Sequence, residues 1–164
     1  MELLHKLRVP VGAQAVFFRT LARLGFHLHP RDAELVGRFR SHRKAFDGIR
    51  MMLLEDSHLG YVGFEKTRLI GENAWRPPKN PGITQERWNR YKALLEEVGA
   101  RAASHVGDTV TLRMSTSGSS SKGIVHSPAH RVVVVDLERY PLPAQRHAHL
   151  VLDAGWYVYY GWDS

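Results

Sequence analysis

The chain has 164 residues, of which 43% are hydrophobic and 24% charged, ordinary values for a globular protein long enough to bury one sizeable core. It contains no cysteine, which excludes disulfides, thiolate metal sites and cysteine nucleophiles. A formal net charge of +7 favours an acidic partner, whether a protein, a nucleic acid or an anionic membrane surface.

The N-terminal stretch lacks the features of a targeting segment. Its apolar run from Ala13 to Phe18 ends at Arg19, whereas a secretory signal needs roughly 7–15 uninterrupted apolar residues. No part of the chain approaches the roughly 20 apolar residues of a membrane span. We expect a cytoplasmic protein without a transmembrane segment, and the sequence leaves a periplasmic location open. Residues 1–29 are predicted to form a helical arm.

The longest helical pattern runs from Pro30 to about Asp56. Its apolar positions recur at steps of four and three residues, which places them on one face of a helix: Leu35, Phe39, His42, Phe46, Ile49 and Leu53. Four basic residues lie on other azimuths and form what we call the basic flank: Arg40, Arg43, Lys44 and Arg50. The basic flank is a candidate partner-binding surface.

A short strand, a proline-rich loop and a second helix follow. Residues 61–64 have the composition of a strand, and three prolines exclude regular structure across residues 71–82. Trp75 in this loop is either an anchor on the core or an exposed partner-binding aromatic. Thr84 is a predicted N-cap and Gly99 follows the last apolar position, so we expect a helix between them.

The C-terminal third is rich in strand patterns. Apolar and polar residues alternate from Thr109 to Ser115, and a turn over Ser117–Ser121 leads to a second strand from Lys122, which predicts a hairpin with a long tip. Further strands are predicted over residues 131–136, 147–153 and 156–162.

The fold class is therefore α+β, with N-terminal helices packed on a C-terminal antiparallel sheet of four or five strands. We expect one domain over residues 1–164, with its helical part over 30–108 and its β part over 109–164.

The hairpin tip is the strongest candidate for a ligand site. Its hydroxyl groups and one cation could hold a phosphate or a carboxylate: Ser117, Ser119, Ser120, Ser121 and Lys122. A nucleotide-binding P-loop is rejected, because Gly-Lys-Ser/Thr is absent and a strand follows where a helix is required. The serine-nucleophile motif Gly-x-Ser-x-Gly is also absent, so no catalytic residue is predicted.

A metal site is a weaker alternative. Strict alternation would place His147, His149 and Asp153 on one face of a strand, with His126 or His130 as a further ligand. Two histidines in alternation are a weak pattern in a chain that has ten, and a polar strand face explains them as well. No metal is favoured and no cofactor is expected.

Four segments carry a resemblance to known sequences: FRSHRKAFDGIRMMLLED, ITQERWNRYKALLEEVG, SGSSSKG and GWYVYY. On these the chain, from Phe39 onward, resembles a set of small bacterial hypothetical proteins. The resemblance implies the same fold and no established activity. Members of that set often look exported or lipid-anchored, whereas this chain has no cysteine and an N-terminal stretch broken by arginine.

The leading functional hypothesis is a non-enzymatic protein-binding module, such as a bacterial immunity-type inhibitor that docks on an acidic partner protein. An enzyme or sensor for an anionic small molecule at the hairpin tip is the first alternative. Nucleic-acid binding through the basic flank is the second. The dependence of affinity on salt concentration distinguishes nucleic-acid binding from protein binding, because nucleic-acid affinity falls steeply as salt rises. The sequence leaves the oligomeric state open.

Overall fold

A computed structural model describes residues 29–64, 67–69, 82–117, 120–128, 133 and 147–162. The predicted helical arm and Trp75 lie outside these residues. The described part contains three helices, which we number in chain order: α1 (Asp32–Ser41), α2 (Arg43–Glu55) and α3 (Gln85–Val98). It also contains seven strands: β1 (Leu59–Gly63), β2 (Thr67–Leu69), β3 (Ala102–Val106), β4 (Thr109–Ser117), β5 (Ser120–His126), β6 (His147–Asp153) and β7 (Trp156–Trp162).

The strands form one sheet in the order β2-β1-β3-β4-β5-β7-β6, and all neighbouring strands are antiparallel. The α+β class is confirmed, but the prediction of four or five strands is wrong. Strands β1, β2 and β3 lie within residues 30–108, the predicted helical part. The short strand β1 matches the one predicted at residues 61–64, whereas β2 and β3 carry too few alternating apolar residues to be recognised in the sequence.

The helix predicted from Pro30 to Asp56 is two helices. His42 has φ −120° and ψ 27°, which are not helical, and α1 ends and α2 begins on either side of it. The predicted apolar stripe is nevertheless buried on both helices, except for His42, whose side chain lies on the surface beside Glu97 at 3.4 Å. Packing on the sheet therefore depends on the apolar face and tolerates the break.

Helix α3 follows the sequence prediction at both ends. The Thr84 hydroxyl accepts a hydrogen bond from the Arg87 backbone N–H at 3.1 Å, as an N-cap does. Gly99 ends the helix in the left-handed conformation with φ 66°, which glycine adopts without steric cost. Both signals are local in the chain, and this explains why they could be recognised there.

The hydrophobic core lies between the helices and one face of the sheet, and this face is called the helix-side face below. Phe39 and Phe46 contact Trp156 of β7, with ring centroids 5.4 and 5.9 Å apart. Trp156 is 1% exposed, and it is the largest side chain of the described core. The position of α1 relative to β7 is thereby determined, and with it the position of the residues just before α1.

Candidate functional site

A β-bulge in β4 directs Ser115 toward the helices. Residues Leu112 and Arg113 pair with Ile124 and Gly123, but the next pair is Ser115 with Lys122, so Met114 is the extra residue. Directly paired residues of antiparallel strands project to the same face. Ser115 therefore shares the helix-side face with Lys122, whereas uninterrupted alternation would have placed it on the opposite face with Arg113.

Lys122 is a buried cation with a carboxylate partner. Its ammonium lies 2.6 Å from Asp32 Oδ1, and the two side chains are 5% and 12% exposed. Asp32 is the first residue of α1, where the positive end of the helix dipole also favours a negative charge. The ion pair thus connects the start of α1 to the interior strand β5, and it neutralises the charge that a buried lysine would otherwise carry alone.

His29 completes this group of polar side chains from the segment that precedes α1. Its Nδ1 lies 2.7 Å from the Ser115 hydroxyl and its Nε2 lies 2.8 Å from the Ser120 hydroxyl. The imidazole ring also packs edge-on against Tyr160 of β7, at a centroid distance of 5.4 Å. We call the whole group the polar cluster: His29, Asp32, Ser115, Ser120, Lys122 and Tyr160.

The hydrogen-bond partners assign the position of the His29 proton. The single hydroxyl proton of Ser120 is donated to the Ser117 carbonyl oxygen at 2.8 Å. Ser120 Oγ must therefore accept from His29, which places the ring proton on Nε2. Nδ1 is then the acceptor, and Ser115 donates its hydroxyl proton to it. The result is a chain of hydrogen bonds from Ser115 through the imidazole to Ser120.

Burial and charge keep the His29 ring neutral. Burial, followed by the nearby positive charge of Lys122, lowers the pKa of His29 to about 4. Burial also raises the pKa of Tyr160, whose hydroxyl is hydrogen bonded to Ser120 and stays protonated at neutral pH. The assigned hydrogen bonds therefore persist across the physiological range.

The structure divides the predicted hairpin-tip site. Strand β5 begins at Ser120, so the turn is shorter than predicted, and Ser119 lies outside the described residues. Ser120 and Lys122 project to the helix-side face, whereas Ser121 pairs with Thr116 on the other face. Ser120, Ser121 and Lys122 are all buried. The expected solvent-exposed anion site is therefore replaced by an internal cluster in which Lys122 already has a carboxylate partner.

The basic flank is also divided. Arg43 is held by Asp47 at 2.9 Å and by Asp153, and its guanidinium lies over the rings of Phe39 and Trp156. Its pKa is raised, against the opposing effect of burial, by hydrogen bonds to the two carboxylates.

The other three members of the basic flank differ in their contacts. Arg50 donates to His126 Nδ1 at 3.2 Å. Arg40 and Lys44 are exposed and have no ion pair or side-chain hydrogen bond with any residue in the described ranges. These two cations are the part of the basic flank that remains available to a partner.

The predicted metal ligands do not share a face. A register shift between Val151 and Asp153 pairs Asp153 with Trp156 on the helix-side face, whereas His149 pairs with Tyr159 on the other. The expectation of a common face is wrong, because it assumed uninterrupted alternation. Within the described ranges, no three histidine, aspartate or glutamate side chains come together in a way that would hold a metal ion.

Sequence reasoning missed four members of the polar cluster: His29, Asp32, Ser115 and Tyr160. The alternation from Thr109 to Ser115 had placed Ser115 on the polar face of β4. A lysine that is buried in a strand covered on both faces needs a carboxylate partner elsewhere in the chain, and this is the one signal that could have indicated the pair. The sequence pattern does not reveal that burial, because Lys122 directly follows a serine-rich turn, where a lysine is usually exposed.

No family model, curated protein or solved structure matches the chain. Among the described residues, no helix has both the length and the apolar character needed to span a bilayer.

Proposed function

We propose that the protein is a binding module that docks on an acidic partner protein through the junction of α1 and α2, where Arg40 and Lys44 lie. The single observation that supports this is the division of the basic flank. Two of its cations are held by contacts within the chain, and two are exposed beside a helix break with no partner in the described part. The net charge of +7 favours an acidic surface as the complement.

The contacts around the junction support a rigid docking surface. Arg43 ties the start of α2 to Asp153 in β6, and Arg38 reaches the carbonyl oxygen of Gly99 at the end of α3 at 3.5 Å. Arg40 and Lys44 are therefore mounted on helices that are held against the sheet and against each other. Rigid mounting reduces the entropy that is lost on binding. An inhibitor of the immunity type is one form that this function would take.

The test compares two double charge reversals in a pull-down from a bacterial lysate at about 0.15 M salt. Arg40→Glu with Lys44→Glu removes the proposed contact. Arg90→Glu with Arg113→Glu is the matched control, because it makes the same change of charge at two exposed positions, on α3 and on β4, outside the α1–α2 junction. We expect one retained acidic protein that the first variant loses and the control keeps.

Three results would contradict this function. The first is equal loss of the retained protein in both variants, which indicates only a general charge effect. The second is retention by both. The third is recovery of nucleic acid, with an affinity that falls steeply from low to moderate salt, which would favour the alternative of nucleic-acid binding.

A further inference from the structure

We propose that Ser115 is a reactive serine whose hydroxyl is activated by His29, and that it accepts acyl or phosphonyl groups from small ester-like electrophiles. This goes beyond the docking function, because it concerns the polar cluster and not the α1–α2 junction. The geometry that carries the proposal is the contact of 2.7 Å between Ser115 Oγ and His29 Nδ1. A nucleophile and its base require a contact of this kind.

The base is held in the productive orientation by groups on its far side. His29 Nε2–H donates to Ser120 Oγ at 2.8 Å, and Ser120 in turn donates to the Ser117 carbonyl oxygen. This leaves the Nδ1 lone pair directed at Ser115. The arrangement is nucleophile, base and orienting group in sequence, with a serine in the place that a carboxylate takes in the familiar triad. Ser120 is thus a positioning residue.

The bulge in β4 makes this arrangement possible. Without the extra residue Met114, alternation would turn Ser115 away from His29 and toward the other face of the sheet. Bulges commonly direct a side chain into a functional site. The same register shift sets Ser115 directly opposite Lys122, whose ammonium is paired with Asp32.

With a carboxylic ester, the proposed reaction is a transfer of the acyl group through Ser115 to water. Ser115 Oγ forms a bond to the carbonyl carbon while its proton passes to His29 Nδ1, and the carbonyl π electrons move to the oxygen. Their return breaks the bond to the alkoxide, which leaves with the proton from Nδ1 as an alcohol. Water then attacks the acyl-serine and gives a proton to Nδ1. The bond between Ser115 Oγ and the acyl carbon breaks, the acid is released, and Nδ1 returns the proton to Ser115 Oγ. With a fluorophosphonate the phosphorus–fluorine bond breaks instead, and the adduct remains.

The first test treats the full chain with a fluorophosphonate and locates the adduct by peptide mass spectrometry. We expect one adduct, on Ser115, formed at least tenfold more slowly in His29→Gln, because general-base assistance contributes roughly a hundredfold or more. Ser104→Ala, on strand β3, is the matched control and should leave the rate unchanged. Absence of an adduct, an adduct elsewhere, or a rate that is indifferent to His29→Gln overturns the proposal.

A second test remains decisive if a Ser115 variant without the hydroxyl unfolds. The chain has no cysteine, so Ser115→Cys introduces a unique thiol of similar size. Its rate of alkylation by iodoacetamide at pH 7 reports how readily the thiol loses its proton to the neighbouring base. We expect this rate to fall at least about tenfold when His29→Gln is added, because the Nδ1 lone pair that takes up the thiol proton is then absent. A thiol that is inert, or whose rate does not respond to His29→Gln, shows that the cluster only holds the fold together.

Discussion

Two ion pairs tie the first two helices to the sheet, and they lie in opposite environments. Asp32 at the start of α1 pairs with Lys122, and both side chains are nearly buried. Arg43 at the start of α2 pairs with Asp153, and those side chains are 36% and 55% exposed. Water can replace either partner of the exposed pair, whereas nothing replaces a partner of the buried pair. Breaking the buried pair therefore lowers the free energy of unfolding far more than breaking the exposed pair does.

The largest expected effect is that of Asp32→Ala. It leaves the Lys122 ammonium buried without its carboxylate, and we expect the free energy of unfolding to fall by about 3–5 kcal/mol. Urea denaturation followed by circular dichroism measures this. Asp153→Ala is the matched control, for which we expect no measurable change, because Asp153 lies at the surface. Equal unfolding midpoints for the two variants would contradict the comparison.

An intermediate effect is expected when both charges of the buried pair are removed together. The double variant Asp32→Leu with Lys122→Met replaces the pair by apolar side chains of similar length. It should recover most of the stability that Asp32→Ala loses, since well-packed apolar replacements of buried pairs are often neutral or better. The same urea experiment measures this recovery. A double variant as unstable as Asp32→Ala would show that the pair contributes through attraction and not only through mutual neutralisation.

The smallest effect is a dependence of stability on pH that comes from His29. The pKa of His29 is about 4 in the folded protein and about 6.5 in an unfolded chain, so between these values the unfolded state binds more protons. The contribution of His29 to the free energy of unfolding is therefore fully present above about pH 6.5, and it is lost as the pH decreases toward 4. Thermal melts from pH 7.5 to pH 4 measure the fall.

His29→Gln should flatten the His29 part of this curve. Burial and Arg50 also lower the pKa of His126, but that residue is present in both proteins, so the difference between their curves isolates His29. The groups that face His29 from the packed strands are Lys122, Ser115, Ser120 and Tyr160, and the Asp32 carboxylate of α1 is paired with Lys122. Parallel curves for the two proteins would be evidence against a buried, neutral His29.

Much of the secondary structure follows from local patterns. Strands β6 and β7 have the predicted bounds, and α3 lies between the predicted caps at Thr84 and Gly99. Alternation and capping act over a few residues, and a sequence pattern shows them directly. The helix break at His42 was missed because the apolar stripe continues across it.

The candidate site was much harder to predict, because its members come from four separate segments. His29 and Asp32 precede or begin α1, Ser115 ends a bulge in β4, Lys122 lies in β5 and Tyr160 in β7. No spacing along the chain relates them. A single extra residue in β4 reverses the face of Ser115, and alternation alone cannot indicate where such a residue is inserted.

By itself the sequence determined the α+β class, the apolar faces of the helices and the strands of the C-terminal hairpin, because periodicity and caps are short-range properties of the chain. Only the tertiary structure decided that Lys122 is buried with Asp32, that His29 joins two serines, and that Arg40 and Lys44 remain exposed. Those outcomes depend on strand register and on helix docking. Both are set by contacts between residues far apart in the chain, which a local pattern does not encode.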